Sequence, residues 1–151
     1  MPNFSTIADG GGKPFWIKVG EEMANQIRVQ TKAGKDVKGR AFKKYKRAYA
    51  AAKKARKFAR QSSTSDRPDL TLTDDMLQDL QVVKATQNGV TIGFPSEAGK
   101  VHGNAERGRH LSTATTPIPA KAAKELKQRL DVKIKSNLTK VSGRTRVRIG
   151  K

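Results

Sequence analysis

The side chains best suited to catalysis or metal binding are few and dispersed along the chain. The two histidines, His102 and His110, have no acidic cluster beside them in the sequence that could complete a metal site. Asp74, Asp75 and Asp79 form a group of carboxylates, and such a group can act as a general acid and base or bind a metal. A helix is expected to start here, and negative charge at a helix start complements the helix dipole, which explains the aspartates more simply. The sequence therefore predicts no enzyme, no cofactor and no metal site.

Positive charge is the strongest chemical signal in the sequence. The 151 residues contain 32 Lys and Arg against 13 Asp and Glu, for a net charge of +19. Residues 32–60 and 101–151 each carry thirteen basic side chains, whereas residues 61–100 have a small negative net charge. A chain with two basic blocks around a mildly acidic centre is expected to meet a polyanion or an acidic protein surface.

Eleven basic residues are candidates for this contact, eight in and around one expected helix and three near the C-terminus. Their spread around the helix, rather than along one stripe, suits attraction to phosphates without reading of the base sequence. The C-terminal block has almost no aromatic residues, which argues against a platform on which single-stranded bases stack. The candidate contacts to DNA or to an acidic partner are Lys43, Lys44, Lys46, Arg47, Lys53, Lys54, Arg56, Lys57, Arg144, Arg146 and Arg148.

The segment from Asp69 to Phe94 contains the clearest local structural signals. Thr73 is placed to cap a short helix, and two short apolar runs follow it. Asn88 and Gly89 lie between these runs and predict a β-hairpin with a tight type I′ turn, because both residues tolerate a positive φ. A two-stranded hairpin is marginally stable alone, so helices must cover its apolar face. The expected core of this hub is Met76, Leu77, Leu80, Val82, Val90, Ile92 and Phe94.

Helices are predicted on both sides of the hub. Apolar residues at helical spacing predict one helix from Pro14 to about Thr31, ended by Gly34 as a left-handed C-cap. Ala, Lys and Arg favour a second helix from Tyr45 to about Phe58, and a short helix is expected within residues 96–107. We expect the first helix and a last one, from Ala120 to about Leu138, to cover the hairpin. The apolar residues of this last helix recur in steps of three and four at Ala123, Leu126, Leu130, Ile134 and Leu138.

These elements predict an α+β fold: a small antiparallel sheet built on the central hairpin and packed by two or three helices, with extended basic termini. Residues 1–13 are expected to form a flexible N-terminal arm, residues 14–138 a single domain, and residues 139–151 a basic C-terminal arm. The absence of cysteine excludes disulfides and thiolate metal sites. The N-terminus lacks the features of a signal peptide, and no apolar run approaches the roughly 20 residues of a membrane span.

Several motifs resemble those of small structural proteins of tailed bacteriophages, of the virion-morphogenesis or neck and tail-completion type. The run Asp69–Leu77 (DLTLTDDML) is similar to a family pattern in which Leu-Thr-Leu-Thr-Gly precedes Met-Leu, and the hairpin sequence Val90–Phe94 (VTIGF) follows it. Downstream, His102–Arg109 and Pro117–Ala120 are similar to an H/N-x-G stretch and a Pro-containing loop. Upstream, the aromatic and lysine spacing of the family is matched by Phe42, Tyr45, Tyr49 and Lys53.

The resemblance covers roughly Phe15 to Leu130, with two departures. Asp74 stands where Gly is usual, and Ile118–Ala120 replaces an Arg-Pro-Phe-like element. The resemblance implies a small α+β domain that forms a homo-oligomeric ring at the neck of the virion, around the DNA channel, without catalysis. Its expected partners are portal or adaptor proteins, tail proteins and double-stranded DNA through non-specific electrostatics, with no membrane. Such a protein is made in the host cytoplasm and ends in the virion.

A second function remains open on the charge pattern alone. A cellular nucleic-acid-binding protein, ribosome-associated in type, would also carry basic blocks that contact the phosphate backbone without sequence specificity. The binding of such a protein to nucleic acid should be lost in high salt, whereas an oligomeric ring should persist in high salt. A small enzyme such as a nuclease is disfavoured, because the sequence shows no acid and base constellation.

Overall fold

A computed structural model describes residues 12–71, 73–113 and 115–142. Within these ranges the chain has the predicted α+β fold, with five helices and one two-stranded antiparallel sheet. No helix of the described ranges is long and apolar enough to cross a membrane. Residues 1–11 and 143–151, which include most of the two expected arms, lie outside the description. In chain order the elements are α1 (Gly12–Lys32), α2 (Arg47–Lys54), α3 (Asp75–Gln78), β1 (Gln81–Ala85), β2 (Val90–Gly93), α4 (Ala98–Glu106) and α5 (Ala120–Ser142).

Helix α1 follows the predicted amphipathic pattern and begins slightly earlier, at Gly12. Gly34 ends it as predicted, with a left-handed φ of 76°. The Gly34 N–H donates to Thr31 O at 2.8 Å, and the Lys35 N–H donates to Gln30 O at 3.1 Å. Together these bonds form a Schellman motif, which satisfies carbonyl groups that a helix end leaves unpaired. The buried residues recur at helical spacing and are Val19, Gly20, Met23, Ala24, Ile27 and Thr31.

Strands β1 and β2 form the predicted hairpin and pack on α1. Val82 pairs with Ile92, and Val83 bulges out of the register, with 57% of its surface exposed. Helix α1 approaches the hairpin very closely at Gly20. A Cβ atom at Gly20 would lie 2.6 Å from Val90 Cγ2 and 2.7 Å from Val82 Cγ2. A side chain at this position would therefore force α1 and the hairpin apart or displace the two valines.

The turn of the hairpin differs from the prediction. Neither Asn88 nor Gly89 has a positive φ, so the type I′ turn is wrong. The connection instead runs over the four residues between β1 and β2, closed by a 2.8 Å bond from the Thr86 N–H to Gly89 O. The Thr86 hydroxyl accepts the Asn88 N–H at 3.3 Å. A threonine side chain thus stabilises a longer loop that needs no left-handed residue.

Helix α3 also begins differently from the prediction. Asp74 precedes it with a left-handed φ of 64°, and no side chain caps the helix. The prediction that Thr73 is the cap is therefore wrong. The Asp74 carbonyl oxygen holds the first turn, accepting the Leu77 N–H at 3.1 Å and the Gln78 N–H at 3.0 Å. The left-handed turn at Asp74 sets the direction in which α3 leaves the preceding loop.

Helix α2 is shorter than the predicted span of residues 45–58. Lys46 has an extended backbone (φ −58°, ψ 140°), and Arg56 has a left-handed φ of 52°. Phe42 is buried, and Tyr45 packs against the same cluster. These two aromatic side chains anchor the segment before the helix, and the extended Lys46 precedes the helix start at Arg47.

Two hydrophobic clusters join the elements. In the hub, the apolar residues predicted near α3 are buried, and those predicted in the hairpin are half-buried. The second cluster is smaller and consists of Val19, Met23 and Ala122. The first cluster consists of Ala24, Ile27, Phe42, Leu70, Met76, Leu77, Leu80 and Leu111.

Helix α5 packs on α1 and continues beyond the expected end of the domain. Ala122 is buried in the second cluster, Leu126 packs against it, and the Arg129 guanidinium pairs with the Glu22 carboxylate. Residues 139–142, expected in the C-terminal arm, are helical. Helix α1 contacts both strands, as predicted, whereas α5 meets the hairpin only at the margin of the second cluster. The expectation that α5 covers the hairpin is therefore largely wrong.

Candidate binding surfaces: a basic groove and an uncovered helix

A groove of about 1130 Å³ lies between residues 43–49 and helix α4. We refer to it as the basic groove. Its two acidic lining residues are Asp74 and Glu106, and its apolar lining includes Tyr45, Leu70 and Met76. Its basic lining residues outnumber the acidic ones and are Lys43, Lys44, Lys46, Lys100, Arg107 and Arg109.

Arg109 fixes one wall of the groove. It is only 7% exposed, its Nε donates to Lys43 O at 3.0 Å, and its Nη2 donates to Lys44 O at 3.3 Å. Its guanidinium also lies over the Tyr45 ring, 4.9 Å from the centroid. Arg109 therefore holds the backbone of the two lysines in place, while their own side chains project into solvent.

A buried ion pair stabilises the base of α2. The Lys53 Nζ lies 2.5 Å from Asp69 Oδ1, and the Lys53 side chain is fully buried. Asp69 also accepts the Ser63 hydroxyl at 2.7 Å and the Thr71 N–H at 3.1 Å. Burial alone would raise the pKa of the Asp69 carboxyl, but the bonds from these three partners outweigh it, so the pKa lies below its ordinary value. The expectation that Lys53 contacts DNA or an acidic partner is wrong, because its ammonium is already paired inside the domain.

Both tyrosines that line the groove are engaged within the protein. The Tyr45 hydroxyl accepts a hydrogen bond from the Leu70 N–H at 3.2 Å. Leu70 has a left-handed backbone with a φ of 54°. Burial raises the pKa of Tyr45 to about 12. The Tyr45 ring contacts Tyr49 edge-on, with centroids 4.8 Å apart, and Tyr49 in turn packs on Phe58 at 5.3 Å. These rings line the groove as parts of the folded core.

Apart from the buried Lys53, the predicted basic contacts separate into three groups in the structure. Lys43, Lys44 and Lys46 line the basic groove and are exposed. Four others lie on or just after α2, exposed but outside the groove: Arg47, Lys54, Arg56 and Lys57. The C-terminal candidates Arg144, Arg146 and Arg148 lie outside the described residues.

Sequence reasoning missed the opposite wall of the groove. Lys100, Arg107 and Arg109 come from α4 and the residues just after it. They are about sixty residues away from Lys43 along the chain, and no local pattern brings the two segments together. The available signal is the glycine- and arginine-rich stretch around Arg107, and nothing in that stretch indicates that it faces Lys43.

The three aspartates of the hub have structural partners. Asp74 Oδ2 pairs with Lys32 Nζ at 2.9 Å, and Asp75 pairs with Arg60 at 3.3 Å. Asp79 Oδ2 accepts the backbone N–H groups that precede α4, from Ser96 and Glu97, both at 2.8 Å. The other oxygen of Asp74, Oδ1, is buried, and it has no hydrogen-bond partner among the described residues.

The histidines take no part in a metal cluster within the described ranges. His102 is exposed and lies 3.3 Å from Glu106, one turn further along α4. The His110 carbonyl oxygen accepts the Val37 N–H at 2.9 Å. Among residues 12–71, 73–113 and 115–142, no group of three or more His, Asp or Glu side chains could hold a metal ion.

Residues 130–137 of α5 are largely uncovered by the rest of the described chain. Helix α5 has 23 residues, which corresponds to a length of about 34 Å at 1.5 Å per residue. It packs on α1 through its first turns, and no side chain from Leu130 to Asn137 is buried. Val132 is 68% exposed and Ile134 is 37% exposed. We refer to residues 130–137 as the uncovered segment of α5.

A cavity beside α1 extends this apolar surface. It has a volume of about 470 Å³ and lies between Phe15 and the α5 residues 125–136. Val132 contributes to its lining, together with the aliphatic part of Lys133. Leu130 and Ile134 do not line this cavity, so it lies on a different face of α5 from the apolar repeat.

The comparisons with known proteins give no relative for this chain. No family model, no curated protein and no solved structure matches it.

Proposed function

We propose that this chain is a structural subunit of a tailed-phage virion that forms a homo-oligomeric ring at the head–tail junction, around the DNA channel. The observation that carries the proposal is the uncovered segment of α5. A short helical segment with few tertiary contacts is marginal in water. Contact with a neighbouring subunit would bury Leu130 and Ile134, which lie one turn apart on the same face, and would stabilise the segment, as expected of an assembly subunit.

The backbone at Asp74 supports the motif on which the family resemblance rests. The phage proteins usually have Gly at the position that Asp74 occupies. Asp74 has a φ of 64°, and glycine adopts this conformation at no steric cost, while Asp tolerates it better than most residues. Asp74 thus has a backbone conformation that glycine readily adopts, so this departure from the motif is compatible with a glycine-type turn.

The exposed basic residues of α2 fit a position beside a DNA channel. Arg47 and Lys54 are exposed, as are Arg56 and Lys57 just beyond the helix. Such a surface attracts phosphates without reading bases, which suits DNA that passes through a ring. The partners under this proposal are further copies of the chain, portal or adaptor proteins and tail proteins. The chain works by binding its neighbours and has no catalytic role.

The mass of the purified full chain tests the proposal. We expect mass photometry and negative-stain electron microscopy to show rings after nuclease treatment, and rings that persist at about 1 M salt. The variant Leu130→Ser/Ile134→Ser should keep its circular dichroism spectrum and lose the rings. The matched control is Val29→Ser/Val83→Ser, since Val29 and Val83 are 58% and 57% exposed and lie away from α5. A wild-type chain that stays monomeric at every concentration would contradict the proposal.

A cellular nucleic-acid-binding protein is the second candidate, and the exposed lysines of residues 43–57 favour it. It predicts a monomer that retains nucleic acid on purification and releases it as salt rises, with a slope set by the number of phosphate contacts. Substituting the α5 residues would then leave binding unchanged.

A further inference from the structure

The hairpin leaves one edge of each of its strands without a neighbouring strand. The sheet formed by the described residues has two strands, β1 and β2. No backbone hydrogen bond joins residues 90–93 to a described segment other than β1. A two-stranded sheet is marginally stable, and an open edge offers backbone N–H and C=O groups to a further strand.

The two open edges differ in how well they can accept a strand. Strand β1 contains Lys84 and the bulge at Val83, and both features hinder pairing at an edge. Strand β2 contains no charged residue, no proline and no bulge. The edge of β2 is therefore the better site for a third strand.

The two faces of the sheet determine which sequence such a strand must have. Val90 and Ile92 face α1, because their Cγ2 methyl groups lie beside Gly20, whereas the intervening Thr91 is exposed. A strand beside β2 must therefore place alternate residues towards α1, next to the second cluster, and the others in solvent. The side towards α1 requires apolar residues, and the side towards solvent requires polar ones.

A segment near the C-terminus, outside the described residues, has this alternating pattern. In residues 144–149 (RTRVRI), three arginines alternate with Thr145, Val147 and Ile149. A period of two is typical of a strand with one apolar face. The arginines also favour the edge of β2 over that of β1, where they would lie directly beside Lys84 and like charges would repel.

The length of α5 separates this segment from the hairpin of its own chain. Leu126 packs on the second cluster, and Ser142 lies about 24 Å further along the helix axis. Residues 143–149 span at most about 25 Å when fully extended. The segment would therefore be used up in returning to its own hairpin and could not also pair along β2. The β2 strand of a neighbouring copy does not impose this limit.

We propose that residues 144–149 of one copy add to the edge of β2 in the next copy as a third strand, with Val147 and Ile149 towards α1 of that copy. Main-chain hydrogen bonds give such strand addition its affinity, and the alternating side chains give it specificity. The contact is head-to-tail, which closes into a ring when the rotation allows. The inference rests on the proposed assembly of copies and names a contact that links them.

Disulfide cross-linking of the full-length chain tests the strand addition, since the chain has no native cysteine. A chain with Thr91→Cys is mixed with an affinity-tagged chain that has one cysteine among residues 144–149, so that a mixed dimer has its own mass. Residues opposite each other on adjacent strands share a face, with Cβ atoms about 4.5–5.5 Å apart, near the separation that a disulfide needs. We expect mixed dimers when an arginine is replaced, and several-fold less when Thr145, Val147 or Ile149 is replaced.

Lys84→Cys is the matched control for Thr91→Cys. Lys84 lies opposite Thr91 in the hairpin register and is also exposed. It is one strand further from the edge of β2, about 10 Å from an added strand, which is beyond the reach of a disulfide. Lys84→Cys should therefore give only background cross-linking with every cysteine among residues 144–149.

Three results would overturn the strand addition. The first is an equal yield at all six positions, and the second is an equal yield with Lys84→Cys and Thr91→Cys. The third is a Thr91→Cys/Arg146→Cys chain that cross-links only within itself, because the segment would then cover its own hairpin. Mass photometry of the same samples separates this inference from the proposed function. Rings without the alternating pattern would contradict the strand addition alone, whereas a chain that stays monomeric would contradict both.

Discussion

The two ends of helix α1 differ in how completely their surroundings are packed. Near the C-terminal end, Arg28 donates to the carbonyl oxygens of Leu77, at 2.9 Å, and Leu80. The first cluster and the buried ion pair of Lys53 lie at the same end of the domain. Near the N-terminal end, the second cluster has three buried residues, and α5 continues past it without cover.

The comparison shows that an apolar repeat in a helix does not by itself indicate which surface will cover it. Helices α1 and α5 both have apolar residues in steps of three and four, yet α1 buries them in its own domain and α5 largely does not. We interpret the packed end as the part that determines the fold and the uncovered end as the part that determines assembly. The following substitutions test this division.

The largest effect is expected at Leu77, which is fully buried in the first cluster. Leu77→Asp should abolish folding, because an unpaired carboxylate in an apolar core is far more costly than the domain can offset. Leu77→Ala should lower the free energy of unfolding by about 2–5 kcal/mol. Denaturant titration followed by circular dichroism measures both. Ile134→Asp is the counterpart in α5 and should leave a folded domain; if it unfolds the chain as Leu77→Asp does, the division is wrong.

Breaking the buried ion pair should come next. Lys53→Met removes the partner of Asp69 and leaves its carboxylate buried and without its cation, which should cost about 3–5 kcal/mol of unfolding free energy. Lys54→Met is the matched control, since Lys54 is the next residue and is exposed. Its change should stay within about 0.5 kcal/mol. Equal stability of the two variants would show that Lys53 does not pair in solution.

Gly20 tests the contact between α1 and the hairpin. Gly20→Ala places a methyl group within 2.7 Å of two valine methyl groups, and such overpacking should cost about 1–3 kcal/mol. Gly99→Ala is the control, because no atom lies within 4 Å of a Cβ at Gly99 in α4. Replacing this helical glycine should stabilise the chain by about 0.5–1 kcal/mol. Thermal unfolding of both variants should thus shift in opposite directions.

The same ion pair should also make the free energy of unfolding depend on pH in acid, and this effect should be smaller. The pKa of Asp69 is lower in the folded chain than its ordinary value of 3.8, so the unfolded chain binds more protons in acid. The contribution of the Asp69 carboxylate to stability is fully present above pH 3.8, the ordinary pKa, and it is lost as the pH falls through the pKa of the folded chain. The pKa of Asp36 is also lowered in the folded chain. Burial would raise it, but the hydrogen bonds and charge from Arg40 and the hydrogen bond from Lys38 outweigh the effect of burial.

Asp69→Asn is the variant that isolates this contribution. Its free energy of unfolding should decline less steeply than that of the wild type below about pH 4. Asp36 remains in both chains, so some decline should persist. Identical slopes in the two chains would show that Asp69 is not held as an anion by its partners.

Local features of the fold were predictable from the sequence, and long-range ones were not. The Schellman end of α1 at Gly34 and the hairpin pairing follow from residues close together in the chain. The inward direction of Lys53 was not predictable, because its partner Asp69 lies outside the lysine- and arginine-rich helix. The basic groove needs Arg109 to meet Lys43, which are 66 residues apart, and no periodicity encodes that contact.

Hydrogen exchange along α5 tests the central claim most directly. In a dilute, monomeric full-length chain, we expect the amides of residues 130–137 to exchange much faster than those in the middle of α1, because buried tertiary contacts protect the latter. In assembled material, the same α5 amides should become protected. Slow exchange of residues 130–137 in the monomer would contradict the account, since it would mean that the uncovered segment of α5 is stabilised by its own domain.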